Sequence, residues 1–230
     1  MRLKQLAIAI TLGTISTVAL AENTGFYVGG KLGASIMQSK DMQSHGHFYS
    51  TPTNYDYTLT KDKTKAVFNL GVNAGYDFNV SYNIPVRAEL DYTYRTDAKI
   101  NTSTYVFSSM DGNAGGDDEA ENFKIRQSTL MANGYYDFYN STAFTPYVGL
   151  GLGVSFVKYK DEASISKTKF AWSTMAGVSY KVMSNLTANV EYRYLDSGKI
   201  KKDDSDGTWV DNFSAKLKTH DINIGLRYAF

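Results

Sequence analysis

The sequence has 230 residues, a formal net charge of +1 and no cysteine, with 18 tyrosines and 12 phenylalanines against 3 prolines. This length suits one domain, the near-neutral charge excludes nucleic-acid binding by bulk electrostatics, and the missing cysteines exclude a disulfide framework. The many aromatic residues and few prolines favour β-structure.

The N-terminus has the pattern of a secretory signal peptide. A short basic start precedes a mostly apolar run that ends in Ala19-Leu20-Ala21, which predicts cleavage after Ala21. We therefore expect residues 1–21 to be a cleaved signal peptide and residues 22–230 to form one outer-membrane β-barrel domain. No later apolar run approaches the length of a membrane-spanning helix, so the chain would have to cross a membrane with strands.

Eight later segments alternate apolar with polar or small residues, at the side-chain period of a β-strand. Long polar stretches and short turns connect them in alternation, which is typical of an outer-membrane barrel with long extracellular loops. The sequence therefore predicts an all-β fold, an eight-stranded antiparallel up-and-down transmembrane β-barrel. The predicted strands cover about residues 25–36, 66–78, 86–95, 128–138, 146–156, 170–182, 186–194 and 220–230, and the long polar stretches cover residues 38–65, 96–123, 158–167 and 196–216.

Alternation alone does not say which face of the strands points outward, because a soluble lipocalin-like barrel would turn the apolar face inward. The interior of an eight-stranded barrel is only just wide enough for its side chains. The polar face, with glycines such as Gly149, Gly151 and Gly153, fits that space better than the bulky apolar face. The apolar face carries no charged residue within the predicted strands, as contact with lipid requires. We therefore expect an interior charge network of Lys31, Asp77, Arg87, Glu89, Asp91, Asp137, Lys181, Glu191, Arg193, Asp221 and Arg227.

These interior charges allow two interpretations. They form a paired network that plugs the lumen, or they line a narrow path that selects ions. We favour the plug, because side chains nearly fill a barrel of this strand number.

Four stretches resemble a known family: Phe26-Tyr27-Val28-Gly29-Gly30, residues 146–153, Val190-Glu191-Tyr192-Arg193-Tyr194 and Leu226-Arg227-Tyr228-Ala229-Phe230. The chain resembles the OmpA-like, opacity-type porin-family small outer-membrane barrels of Gram-negative bacteria. The resemblance implies a place in the cell outer membrane, contact with outer-membrane lipid and lipopolysaccharide, and recognition by the barrel-assembly machinery. It implies that Leu226, Tyr228 and Phe230 form the C-terminal assembly signal. Members of the family are adhesins, complement-evasion factors, structural anchors or narrow pores, so it fixes no single function.

Some eight-stranded barrels of similar size are enzymes acting on lipid A, which makes the three histidines relevant. His220 precedes Asp221 at the outer end of the last strand, but no serine follows at the next position of the same face. His45 and His47 fall in the first long polar stretch, where two residues are weak evidence for a metal site. We expect no catalytic activity, no cofactor and no bound metal.

The long polar stretches are the expected working surface. Aromatic residues beside charges suit a protein-binding surface, although in the last stretch they could equally extend the strands and pack on neighbouring loops. We expect a monomeric surface protein in adhesion or host interaction, or in envelope structure, with a host-surface or serum protein as partner and no nucleic acid. The alternative function is a small porin for ions or small solutes. The candidate binding surface comprises Phe48, Tyr49, Tyr55, Tyr57, Lys201, Lys202, Trp209 and Phe213.

Overall fold

The computed structural model describes residues 24–48, 63–105, 118–160, 164–205 and 209–230, and side chains within 24–38, 64–98, 125–158, 166–198 and 216–230. Among these residues no helix is long and apolar enough to cross a membrane. The elements are β1 (Phe26–Phe48), β2 (Lys63–Asp77), α1 (Phe78–Tyr82), β3 (Val86–Arg95), β4 (Ala98–Tyr105), β5 (Asp118–Asp137), β6 (Phe144–Lys160), β7 (Ser164–Lys181), β8 (Leu186–Ser205) and β9 (Trp209–Ala229).

All neighbouring strands are antiparallel and form one closed sheet. Its order is β3-β2-β1-β9-β8-β7-β6-β5-β4, and an additional pairing of β3 with β5 closes it. Both β3 and β4 pair with β5, from Val86 opposite Tyr136 to Tyr105 opposite Asp118, with a break at residues 96–97. The two strands therefore occupy one place in the wall, and the barrel has the eight strands that the sequence predicts.

The two faces of the wall have the predicted orientation. In β6 the exposed side chains include Leu150 and Leu152, at 69% and 60% of their full accessible area, while Tyr147 and Ser155 are buried. Alternate positions of β3 are buried in the same way. The bulky apolar face therefore points outward to lipid, and the polar and glycine-rich face fills the interior. The soluble-barrel alternative would need the opposite orientation.

The strands are longer than predicted at the end where the long connections lie. β1 continues to Phe48, β5 begins at Asp118, and β8 and β9 meet near Ser205 and Trp209, within stretches predicted as loops. The prediction was wrong there because the apolar alternation ends with the lipid, whereas the backbone ladder continues in water. Register shifts at Lys40/Gln43 and Asp196/Lys199 interrupt this ladder.

The connections at the other end are short. The turn predicted at residues 79–83 is a single helical turn, α1, where the Asp77 carboxylate accepts a hydrogen bond from the Asn79 N–H at 2.9 Å. Asn83 ends the helix with φ at 54°. The predicted signal peptide, residues 1–21, lies outside the described residues, as do Tyr49, Tyr55 and Tyr57.

Candidate functional sites

The structure brings most of the predicted interior charges together in the lumen. Two of them, Asp77 and Lys181, are not part of that cluster. Arg227 is half-buried and lies along the wall, where its Nη2 donates to Ser179 Oγ at 2.9 Å. The fully enclosed members are Lys31, Arg87, Glu89, Asp91, Asp137, Glu191, Arg193 and Asp221, all at or below 6% exposure.

Asp91 lies at the centre of the network. One carboxylate oxygen is 2.7 Å from Lys31 Nζ and the other is 2.9 Å from Arg193 Nη1. Thr93 donates its hydroxyl to the same carboxylate, and Arg193 Nη2 is 3.2 Å from Glu191 Oε1. Three strands, β1, β3 and β8, are thus tied by charge across the barrel.

A layer of tyrosines covers the other carboxylates. Tyr27 donates to Glu89 Oε2 at 3.1 Å, and Tyr135 donates to Glu89 Oε1 at 3.3 Å. The Tyr147 hydroxyl is 3.4 Å from Glu191 Oε2. Hydroxyl donors supply hydrogen bonds to carboxylates that have no full complement of cations, which reduces the cost of burying them.

At the end of the barrel with short turns, Arg87 forms a two-point contact with Asp137. Its Nε and Nη2 lie 2.6 and 3.0 Å from the two carboxylate oxygens. The guanidinium carbon also lies 4.6 Å from the Tyr135 ring centroid and 5.1 Å from that of Tyr147. This pair fills the lumen at the end of the barrel that carries the short turns.

The sequence interpretation missed one buried ion pair. Arg95 Nη2 lies 2.5 Å from Asp221 Oδ2, with both side chains almost fully buried, and Arg95 Nη1 donates to Thr129 at 3.3 Å. The alternation of faces could have identified Arg95 as an interior residue, because it lies on the same face of the predicted third strand as Glu89 and Asp91. However, Arg95 is the last residue of that strand, and a charged residue at that position is equally typical of the start of a loop.

Asp77 and Lys181 were wrongly assigned to the network. Asp77 caps α1 and accepts a hydrogen bond from the Tyr139 hydroxyl at 3.2 Å. In this turn, burial and then the Asp77 charge raise the pKa of Tyr139 above its usual value. Lys181 is exposed at the last position of β7. Both residues occupy positions of the interior face, but each is the last residue of its strand, at the rim with short turns.

Above the charges, small polar and apolar side chains close the lumen towards the long connections. Gln127 Nε2 donates to Ser155 and Ser197 at 3.0 and 2.9 Å. A buried apolar cluster of Met37, Ala98, Val157 and Leu217 lies beyond. The cavity among the charged residues has a volume of about 10 Å³, roughly the space that one water molecule needs. Side chains therefore fill the described lumen.

Above the lipid-facing band stands an extension of three strands. We call it the raised wall: residues 39–48 of β1, 199–205 of β8 and 209–216 of β9. Its backbone pairs Phe48 with Trp209 and Lys202 with Phe213. Register thus places five of the eight predicted binding residues on one continuous sheet: Phe48, Lys201, Lys202, Trp209 and Phe213. His45 and His47 also lie in this sheet rather than in an irregular loop, opposite Asn212 and Val210.

The histidine with a described side chain, His220, lies on the outer face. Its Nδ1 is 2.7 Å from the Tyr192 hydroxyl, and its ring packs edge-on against Tyr194. The part of the chain with described side chains contains no group of three metal-ligating residues.

The last strand carries Leu226 and Tyr228, two of the three residues predicted to form an assembly signal, and Phe230 follows it. Leu226 and Tyr228 are about half exposed on the outer face, and Tyr228 packs edge-on against Phe230 with ring centroids 5.4 Å apart. The Phe230 N–H donates to the Phe26 carbonyl at 3.0 Å, which fastens the C-terminus to the start of β1. This geometry leaves the three side chains along one outer edge, at the rim with short turns.

Known proteins match this chain along most of its length. A profile of the outer membrane protein beta-barrel domain matches residues 6–230. Outer membrane protein PagN of Salmonella typhimurium is 36% identical in an alignment of 225 positions that covers 90% of this chain and 90% of its own. A putative adhesin of Rickettsia conorii is 27% identical over 77% of this chain and 75% of its own.

Among solved structures, Neisserial surface protein A superposes with a TM-score of 0.55 at 20% identity, covering 90% of this chain and 98% of its own. That likeness concerns the fold. Together with the lipid-facing apolar band, the profile match shows that this chain belongs to the outer membrane protein beta-barrel family and resides in the outer membrane.

Proposed function

We propose that this protein is a non-enzymatic surface adhesin that binds a host-surface or serum protein through the raised wall. The observation that carries the proposal is the wall itself. β1 has 23 residues and β9 has 21, about twice the roughly 9 to 11 that a tilted strand needs to cross a membrane. Ordered sheet outside the bilayer offers a binding surface with little ordering cost.

Two further observations support this proposal. The wall collects Phe48, Trp209 and Phe213, and aromatic residues are enriched where proteins bind each other. A relative that covers most of the chain is named a putative adhesin. We further propose that the chain is exported with residues 1–21 as a cleaved signal peptide.

The filled lumen counts against the small-porin alternative. Ion pairs, tyrosines and an apolar cluster succeed one another along the described interior, and the cavity among them has room for about one water molecule. We therefore propose that the interior network serves as a plug. Passage of solutes would require these pairs to separate.

The adhesin proposal is tested by shortening the wall. In the test variant residues 200–215 are replaced by Asn-Gly, a two-residue hairpin turn between the paired Lys199 and Lys216. In the control, the connection of residues 106–117 is replaced by the same turn. Both are expressed in a non-adherent bacterium, and outer-membrane amount and heat-modifiable migration are measured first.

Bacteria with the full chain and with the control variant should adhere to epithelial cells or serum-coated surfaces. Bacteria with the shortened wall should adhere about tenfold less or worse, because the binding residues are removed. Equal adherence of the shortened-wall variant would refute the proposal. Equal loss in both variants would assign binding to the loops in general rather than to the wall.

A further inference from the structure

Basic residues occupy lipid-facing positions at the extracellular rim of β5 and β6. Arg126 and Lys158 are directly opposite each other in the ladder. The next lipid-facing pairs towards the membrane centre are Ser128 with Phe156 and Leu130 with Val154. The ladder continues outward to the pair Lys124 and Lys160. Two adjacent strands thus carry two cross-strand basic pairs directly above side chains that contact lipid tails.

Neighbouring groups hold Arg126 in place. Its Nε and Nη2 lie 2.6 and 3.0 Å from the two carboxylate oxygens of Asp97, and its guanidinium carbon is 5.6 Å from the Tyr94 ring centroid. A third of the Arg126 side chain remains exposed. A guanidinium fixed on one edge presents its other N–H groups in a constant direction.

Lys158 provides the second cation. It is exposed, and none of the described carboxylates pairs with it. Its flexible side chain can reach a charge beside Arg126, on the side of the barrel that faces the bilayer.

The opposite rim of the same strands has different chemistry. Its lipid-facing positions carry Tyr136, Phe138 and Phe144, each about half exposed, and no lysine or arginine from residue 136 to residue 148. Aromatic residues suit any headgroup region, whereas clustered cations favour anionic headgroups. On β5 and β6, the two rims therefore differ in the charge of their lipid-facing positions.

We propose that Arg126 and Lys158 form a binding site for the phosphate groups of lipid A in the outer leaflet. Acyl chains would pack on the apolar surface around Phe156 and Leu130, which brings the phosphates to the height of the two cations. Arginine forms two-point hydrogen bonds with phosphate, and lysine adds a point charge. The site lies in the bilayer plane, so a lipid phosphate meets both the cations and the apolar surface, whereas a soluble anion meets only the cations.

The test compares two double variants of the full chain in neutral detergent. Arg126→Gln with Lys158→Gln removes the site. Lys167→Gln with Lys169→Gln is the control, because these lysines lie at the same height, opposite Val157 and Ser155, on the face that does not contact lipid. Native mass spectrometry measures the affinity of each protein for lipid A with two phosphates and for lipid A without phosphates. Heat-modifiable migration confirms that each variant is folded.

The wild-type and control proteins should bind diphosphorylated lipid A with equal affinity. The Arg126/Lys158 variant should bind it about tenfold more weakly or worse, and phosphate-free lipid A should bind all three proteins weakly. Equal affinity of all three proteins for diphosphorylated lipid A, or an equal loss of affinity in the control, would overturn the proposed site. Displacement of lipid A by inorganic phosphate alone would indicate a soluble anion site and overturn the lipid assignment.

Discussion

Arg95 and Asp221 are 126 positions apart in the sequence, yet they form a buried two-point ion pair inside the barrel. The pair lies between the Asp91 cluster and the apolar layer of Met37, Val157 and Leu217. It joins the end of β3 to β9 across the lumen. The third strand of the fold and the last are therefore linked by charge across the lumen, in addition to the backbone pairings of the wall.

Removal of one partner of this pair should destabilise the barrel. Asp221→Ala leaves the Arg95 guanidinium buried without its carboxylate, and we expect the free energy of unfolding to fall by about 3 to 5 kcal/mol. Urea unfolding in liposomes measures the change. The double variant Arg95→Met with Asp221→Leu replaces the pair by apolar groups and should recover most of the loss. A single variant as stable as the wild type would contradict this role.

The plug predicts low conductance that rises when a central cation is removed. Arg193→Ala takes away a guanidinium that contacts both Asp91 and Glu191, so the lumen widens and becomes more negative. We expect small, rare currents for the wild type in planar bilayers and larger, cation-selective currents for Arg193→Ala. Lys181→Ala, outside the lumen, is the control and should resemble the wild type. Currents and heat-modifiability that both stay unchanged in Arg193→Ala would exclude the plug.

Gly153 is a position where the wall has no space for a side chain. A Cβ there would meet the Leu130 carbonyl oxygen and lie 2.8 Å from the Met131 Cα, both of them backbone atoms that cannot rotate away. Gly153→Ala should therefore cost about 1 to 3 kcal/mol of stability by overpacking. Gly134→Ala is the matched control, because a Cβ at Gly134 meets nothing within 4 Å. Equal melting temperatures of the two variants would argue against this close packing.

The C-terminal aromatic residue should matter more for assembly in cells than for stability. Phe230→Ala leaves the backbone bond to Phe26 in place, so refolding into detergent should proceed as in the wild type. The amount in the outer membrane should fall several-fold if the assembly machinery reads Phe230. Phe144→Ala, an exposed aromatic residue at the same rim, is the control. Parallel losses in refolding and in cellular assembly would show a structural role instead.

The faces and number of strands could be predicted from the sequence because they depend on local alternation. Leu150 and Gly151 are neighbours in the chain and lie on opposite faces, and the volume available inside eight strands decides which face points inward. The bounds of β3, Val86–Arg95, agree with the predicted strand because short turns and a break in the ladder limit it. The strand ends that lie in water, beside the long connections, could not be predicted because no apolar alternation marks them there.

The sequence by itself determined that the chain is a membrane barrel with charges inside, because a period of two places every second residue in the lumen. Only the tertiary structure decided which charges meet. The stagger between strands sets the height of each residue, so Arg95 reaches Asp221 and Arg193 reaches Asp91, while Lys181 leaves the lumen altogether. The same stagger sets Arg126 opposite Lys158 on the lipid side. The face to which a residue points is a local property of its strand, whereas the height of that residue in the barrel is defined only once the sheet has closed.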